Sequence, residues 1–291
     1  MTGARAAFRR AGIAFALFPL LALLAPLIAR EKPWVTGRAG ETILSAPVPF
    51  DPDGIDLDRR LAPPGSRHLL GTDELGRDVL ARVLHGARLS VAAGLLASAL
   101  ALGLGAALGT LAGWAGGRTD RAVLLLLQIV QALPALVLVI AGAAFLQPSF
   151  LVAAMLIALT GWTDAARLVR AGTQHLRNEA FVDAARASGA SDARLLFVHV
   201  LPHALPPALA TLPYVLGSAV LTEAGLSFLG LGAPPPAASW GRALADARNL
   251  LPGAWWCVLP PGIALFLLVF SARRLGDAFL GRRGDVQSRL A

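Results

Sequence analysis

The chain has 291 residues, of which 56% are hydrophobic and only 15% charged, and its mean hydropathy is +0.63. A soluble domain is nearer half apolar and a quarter charged, so this composition belongs in a lipid bilayer. It excludes disorder, coiled coil and collagen, and the lone Cys257 excludes a disulfide framework or a cysteine metal cluster. The net charge is +8, yet Lys32 is the only lysine among 26 basic residues. Lys32 lies in REKPW with no glycine loop before it, so the chain has no P-loop, and neither cofactor nor metal is expected. No basic patch is interleaved with aromatics, so nucleic acid is not an expected partner; the charge reads as loop arginines that orient membrane spans.

A spanning helix needs about 20 mainly apolar residues. Six segments qualify: 11–29, 89–114, 122–146, 150–169, 204–229 and 255–275. The expected fold is therefore all-α, a polytopic membrane protein with six transmembrane helices. The first segment follows Arg5, Arg9 and Arg10, as a signal peptide would. Its apolar run exceeds a usual signal core, and Arg30 follows Leu27-Ile28-Ala29 without a good small-x-small site, so an uncleaved anchor is expected. Residues 1–30 are thus tail and first span.

The loop 31–88 is rich in Pro, Asp and Gly, which suits an extended stretch with turns rather than a packed domain. It ends in HLLGTDELGRDVLARVLHGARLSV. There Thr72 is expected to cap a short interfacial helix starting at Asp73, with Leu80, Val83 and Leu84 as its apolar face. GWAGGRTD turns the chain between spans two and three, and a Gln-Pro-Ser tip joins three to four. Near the end of span four, Asp164 and Arg167 have the i, i+3 spacing of an ion pair.

The stretch 173–203, TQHLRNEAFVDAARASGASDARLLFVHVLPH, is the most informative. Ala180, Phe181, Ala184 and Ala185 fall on one helical face, and Glu179, Asp183 and Arg186 on the other. Gly189 can take a positive φ and stop that helix, Ser191 can cap a second short helix, and Pro202 is expected to end it. Two short helices meeting at a glycine elbow offer a surface to a partner, or form an ordinary interfacial hairpin; periodicity weighs the two evenly. His199 and His203 are four apart, but Pro202 between them and the lack of a third ligand argue against a metal pair.

Glu223 falls inside the fifth span. A bare carboxylate there costs roughly 2.5–3.5 kcal/mol on insertion scales. It must face the bundle or a partner, either on a translocation path or in a structural hydrogen bond. Beyond it, Gly230, Gly232 and Pro234 to Pro236 break the exit from the span, and Trp240, Trp255 and Trp256 suit a membrane interface. Residues 89–280 form the core, and 281–291 a terminal tail. The short connections and tails carry their arginines, Arg118, Arg121, Arg177, Arg186 and Arg282 among them, on the side of the N-terminus, so both termini are expected in the cytoplasm.

These residues resemble an inner-membrane permease subunit of a binding-protein-dependent ABC importer, most closely the C-type permease of the dipeptide/oligopeptide/nickel group. The EAA motif of that family, E-A-A-x3-G-x9-I-x-L-P, reads here Asp183-Ala184-Ala185, Gly189, then His199, Val200, Leu201 and Pro202. Asp183 stands for Glu and His199 for Ile. GTDELGRD and EAGLSFLGLG…SWG also resemble this branch, so the likeness covers about residues 70–280. It implies a type I importer permease fold, with the 173–203 loop as an ATPase-coupling element. Its contact residues would be Glu179, Asp183, Ala184, Ala185, Arg186, Gly189, Leu201 and Pro202. It implies a second permease subunit, two cytoplasmic ATPases that hydrolyse the ATP, and an extracytoplasmic solute-binding protein. Membrane lipid is the remaining partner.

Rival readings have less support. A secondary transporter would show two related halves with broken polar helices, and no such repeat is visible. An intramembrane enzyme would need a nucleophile and base, yet GxSxG and HExxH are absent. Within the importer reading, peptide, nickel or another small solute remain alternatives.

Overall fold

The computed structural model describes residues 2–31, 35–36, 42–44 and 46–290, with side chains for 8–31 and 46–280. Helix α1 (Thr2–Ile28) is followed by a small antiparallel ribbon, β1 (Val35–Thr36) with β2 (Thr42–Leu44). Then come α2 (Val79–Ala115), α3 (Gly117–Ala132), α4 (Ala135–Phe145), α5 (Phe150–Gly161) and α6 (Thr163–Arg177). The elbow holds α7 (Ala180–Ala187) and α8 (Asp192–Arg194). A π turn, Leu195–Val200, then leads into α9 (Leu201–Leu209). The chain ends with α10 (Leu212–Phe228), α11 (Trp240–Ala247) and α12 (Leu259–Leu290).

Three helices are long and apolar enough to cross a membrane alone: Phe8–Ile28, Val79–Ala115 and Trp255–Leu280. Three bent pairs meet the same length and composition when each is taken together: α3 with α4 at 86°, α5 with α6 at 45°, and Asp192–Leu209 with α10 at 53°. Counting each pair once gives six. The third, fourth and fifth spans are therefore not the straight helices that hydropathy suggests. At the sharpest bend, Leu133 is extended (φ −108°, ψ 142°) because it precedes Pro134, whose ring disfavours a helical residue before it.

Helix α2 organises the bundle. It is 37 residues long, about 54 Å at 1.5 Å per residue. Gly105, Gly109 and Gly113 form one stripe against α6. A Cβ on Gly109 would sit 2.5 Å from the Ala166 carbonyl oxygen, and one on Gly105 2.6 Å from that of Trp162. Only glycine permits this approach, the usual way for two helices to pack in a bilayer without a hydrophobic drive between them. At the far end of the seam Arg170 on α6 forks onto Asp120 of α3, its Nη2 lying 2.7 Å from Oδ2. Apolar side chains of α1 such as Ile13, Leu17 and Leu20 remain exposed, as a lipid-facing helix requires.

The 50–78 segment corrects two expectations. No separate interfacial helix starts at Asp73. The helix begins at Val79 and runs on unbroken as α2, with Asp78 as its cap, Oδ1 accepting from the Ala81 N–H at 2.7 Å. The Thr72 hydroxyl instead bonds within the loop, accepting from the Ala62 N–H and donating to the Arg59 carbonyl. The described part of this loop is also packed: His68, Asp73 and Asp78 are buried. Among the tryptophans expected at an interface, Trp255 is exposed, while Trp240 and Trp256 are buried in the fold.

Candidate functional site

The elbow lies where α2 ends and α6 runs out. Helix α7 stops at Ser188, and Gly189 follows with φ +86°. The Gly189 N–H bonds to the Arg186 carbonyl at 3.0 Å and the Ala190 N–H to the Ala185 carbonyl at 3.1 Å. These two bonds are the Schellman pattern, which closes a helix through a left-handed residue. Ser191 then caps the next helix, its Oγ accepting from the Arg194 N–H. So Gly189 and Ser191 take the backbone parts that their types suggest.

The faces of α7 differ from the periodic reading. The buried residue is Val182, at 0% exposure, packed with Leu195 and Val200 against Trp114, Leu176, Ala185 and Ala190. Ala180, Phe181 and Ala184 are exposed, whereas Ala185 is half-buried. An i, i+3 pair of Val182 with Ala185 was available in the sequence. The larger Phe181 drew the stripe one residue off register. The charges pair locally: Arg186 lies 3.3 Å from Asp183 and 3.8 Å from Asp192, and His175 lies 3.4 Å from Glu179. Phe181, Phe197 and Val198 add exposed apolar surface to the small residues of the elbow.

Pro202 does not end the second helix. The chain passes through it into α9, with Leu201 and Pro202 in the first turn. The preceding π turn explains this, for the Leu201 N–H bonds back to the Leu196 carbonyl, five residues away. A proline in a regular helix lacks a donor and its ring meets the carbonyl four residues back; a wider turn just before it opens that space. Here His203 Nδ1 is bonded to the carbonyl of His199, 2.9 Å away.

Two braces connect the elbow to the bundle. The guanidinium of Arg177 donates to the Trp114 carbonyl at the end of α2 and lies 5.9 Å from the centre of the Trp114 ring. The Asp120–Arg170 pair ties α3 to the same end of α6. Both braces join residues far apart in the chain, 50 and 63 positions, which periodicity does not pair. The expected Asp164–Arg167 pair is not among the ion pairs of the described residues, and both side chains are exposed.

Glu223 sits in α10, 2% exposed, and accepts from the Ser227 hydroxyl at 2.7 Å. Its Oε2 has no hydrogen-bond partner among the described residues. Around this stretch Val220, Ala224 and Trp240 pack with Ala87 and Val91 of α2. The carboxyl is thus enclosed within the subunit.

Comparison with known proteins identifies the family and the fold. Residues 105–284 match the family model described as binding-protein-dependent transport system inner membrane component. The di/tripeptide transport system permease protein of Pseudomonas aeruginosa is 39% identical over 267 residues, 90% of this chain and 83% of the relative. The dipeptide transport system permease protein of Alkalihalophilus pseudofirmus is 39% identical, covering 75% of this chain and 72% of its own. The oligopeptide transport system permease protein of Bacillus subtilis is 37% identical, covering 74% and 70%. Among solved structures, the inward-facing MetNI methionine ABC transporter matches 69% of this chain and 97% of its own with a TM-score of 0.54. At 17% identity that match speaks to the fold alone. The chain therefore belongs to the family of binding-protein-dependent transport system inner membrane components.

Proposed function

We propose that this protein is one of two permease subunits in an ATP-driven importer that carries peptides delivered by an extracytoplasmic binding protein. The names of its relatives support the peptide cargo. ATP hydrolysis belongs to two partner ATPases. The elbow lies on the cytoplasmic side of the inner membrane, together with both termini, as the arginine distribution favours.

The elbow carries this reading. Its exposed small and apolar residues, Ala184, Phe181 and Phe197, are held on a backbone fixed by Gly189 and on a side-chain anchor, Val182, that reaches the ends of α2 and α6. Glu179, Asp183 and Arg186 rim this surface with charge, and Leu201 and Pro202 start the helix that returns to the membrane. ATP-driven closure of the ATPases would push on α7 and swing α2 and α6 together, taking the subunit from inward-facing to outward-facing. The ATPases must hold the elbow differently in the two states, because equal contacts shift nothing. Glu223 has a structural part within α10, bonded to Ser227 of its own helix and enclosed against α2; it meets the path only if α10 moves away from α2.

The test is Gly189→Asp in the complete complex reconstituted in proteoliposomes. Open space surrounds Gly189, so the variant acts through its left-handed backbone and new charge rather than by a clash. The complex should insert and assemble, while solute uptake and solute-stimulated ATP hydrolysis both fall. Wild-type values of both would refute coupling through the elbow.

A further inference from the structure

Two sequence features have no part in the coupling reading: GTDELGRD and the SWG that follows the fifth span. They lie about 160 residues apart in the chain, yet they meet at the loop end of α2. The Thr72 carbonyl accepts from Trp256 Nε1 at 3.2 Å and from Cys257 Sγ at 3.4 Å, which ties the loop to the start of α12. Asp73 closes its own turn, Oδ1 accepting from the N–H groups of Leu75 and Arg77, and Oδ2 takes the Arg77 Nε at 2.7 Å. The fork of Arg77 then reaches Asp246 of α11 at 3.4 Å, and Arg242 holds the other oxygen of Asp246 at 3.0 Å. From the other motif, Ser239 caps α11, and Trp240 donates through Nε1 to the Val83 carbonyl of α2 at 2.9 Å.

The fit is close as well as polar. A Cβ on Gly71 would lie 2.7 Å from Trp256 Cδ1, and one on Gly86 of α2 would lie 3.0 Å from Trp240 Cδ1. Beneath the charges Val79, Ala247, Ala254, Trp256 and Cys257 form one buried apolar cluster. Arg82 is 5% exposed and depends on Pro52, Asp53 and Asp73 for its partners. Parting the loop from α11 and α12 would wet that cluster and remove the acceptor shared by Trp256 and Cys257. It would also separate Arg77 from one of its two carboxylates.

We propose that the 56–83 segment and residues 240–258, which are α11 and the turn after it, form one rigid block that stays assembled through the transport cycle, with Arg77 as its positioning residue. Arg77 makes the one ion bridge from this loop to α11 among the described residues. A planar guanidinium can join two carboxylates at fixed spacing, which a lysine ammonium cannot do with the same geometry. Motion within the subunit then falls on the breaks at Leu133–Pro134, Trp162 and Ala210–Thr211.

The nucleotide-dependent distances and uptake rest on the transport reading, whereas hydrogen exchange needs neither solute nor ATPase. Hydrogen exchange on the membrane-embedded protein should show the amides of Leu61, Thr72, Asp73 and Gly76 opening in one step with those of Ala254 and Cys257. Separate opening of the two groups overturns the block. In the whole complex, with the buried Cys257 left in place, spin labels at L69C and L251C, both exposed, should hold one distance in nucleotide-free and ATP-bound states. A pair at L251C and L136C, across the Pro134 break, should shift. A shift in the first pair overturns the proposal even if uptake is normal. For Arg77, R77A should broaden the first distance and lower uptake roughly tenfold, a coupling change near 1.4 kcal/mol. R77K should fall between. R77C/D246C should lose uptake and regain it when a short thiol cross-linker joins the two sites. Wild-type distance and uptake in R77A, or inhibition by the cross-link, would sink the assignment of Arg77.

Discussion

The two ends of α2 are built on opposite plans. At the loop end, polar side chains are withdrawn from solvent and face each other: Arg77 and Arg82 with Asp73, and the His68 ring with Asp78 at 2.9 Å. At the elbow end, Arg186, Asp183 and Asp192 remain exposed and pair over 3.3 to 3.8 Å. An exposed pair of this kind contributes about 0–1 kcal/mol, so it is readily exchanged for a partner's charge. A buried pair that loses one member is costly, so it is not. The contrast separates an end whose polar groups are satisfied within the fold from one whose charges stay exposed.

The comparison breaks first at Val182. Val182→Asp puts a carboxylate into the fully enclosed elbow anchor, at a cost of several kcal/mol. Limited proteolysis should cut within the 180–200 stretch, co-purification of the ATPases should be lost, and the loop end should keep its protection. Protease resistance equal to wild type would mean that the anchor does not hold the elbow. Gly109→Val comes next. Its side chain would overlap the Ala166 carbonyl, and overpacking of this kind costs about 1–3 kcal/mol. The melting temperature of the purified subunit should fall, and an unchanged value would show that the α2–α6 seam is loose. At the loop end, Trp240→Phe removes the bond to the Val83 carbonyl and leaves part of the buried indole space empty, so a loss of about 1–3 kcal/mol is expected in thermal unfolding. The smallest stability effect belongs to Phe181→Ala. An exposed side chain should change folding by no more than about 0.5 kcal/mol. If the elbow is a docking surface, the same variant weakens ATPase retention on a column. Equal retention would place the contact elsewhere on the elbow.

Much of the architecture could be read in the sequence because bilayer physics is coarse. Twenty apolar residues cross a membrane wherever they occur, and the six segments stand out on that count. The bends did not, although Pro134 stands in plain view within the third segment. Hydropathy averages over a window and so is blind to one residue that forbids a helix before it. The elbow was legible where backbone chemistry dominates, at Gly189 and Ser191. It is not legible where burial decides, since Val182 and Phe181 differ by only one position and packing alone tells which turns inward. The loop 31–88 misled because Pro, Asp and Gly look like solvent-exposed chain. In its described part the aspartates serve as caps and arginine partners, and those partners lie as far away as Asp246.

The glycine stripe on α2 has a further mechanical meaning. With no side chains between them, α2 and α6 have no cushion that could absorb a small rotation. Over a rod of about 54 Å, one degree of tilt displaces the tip by about 1 Å. A nudge too slight to notice at Arg177 would therefore arrive, magnified and undamped, at Asp78.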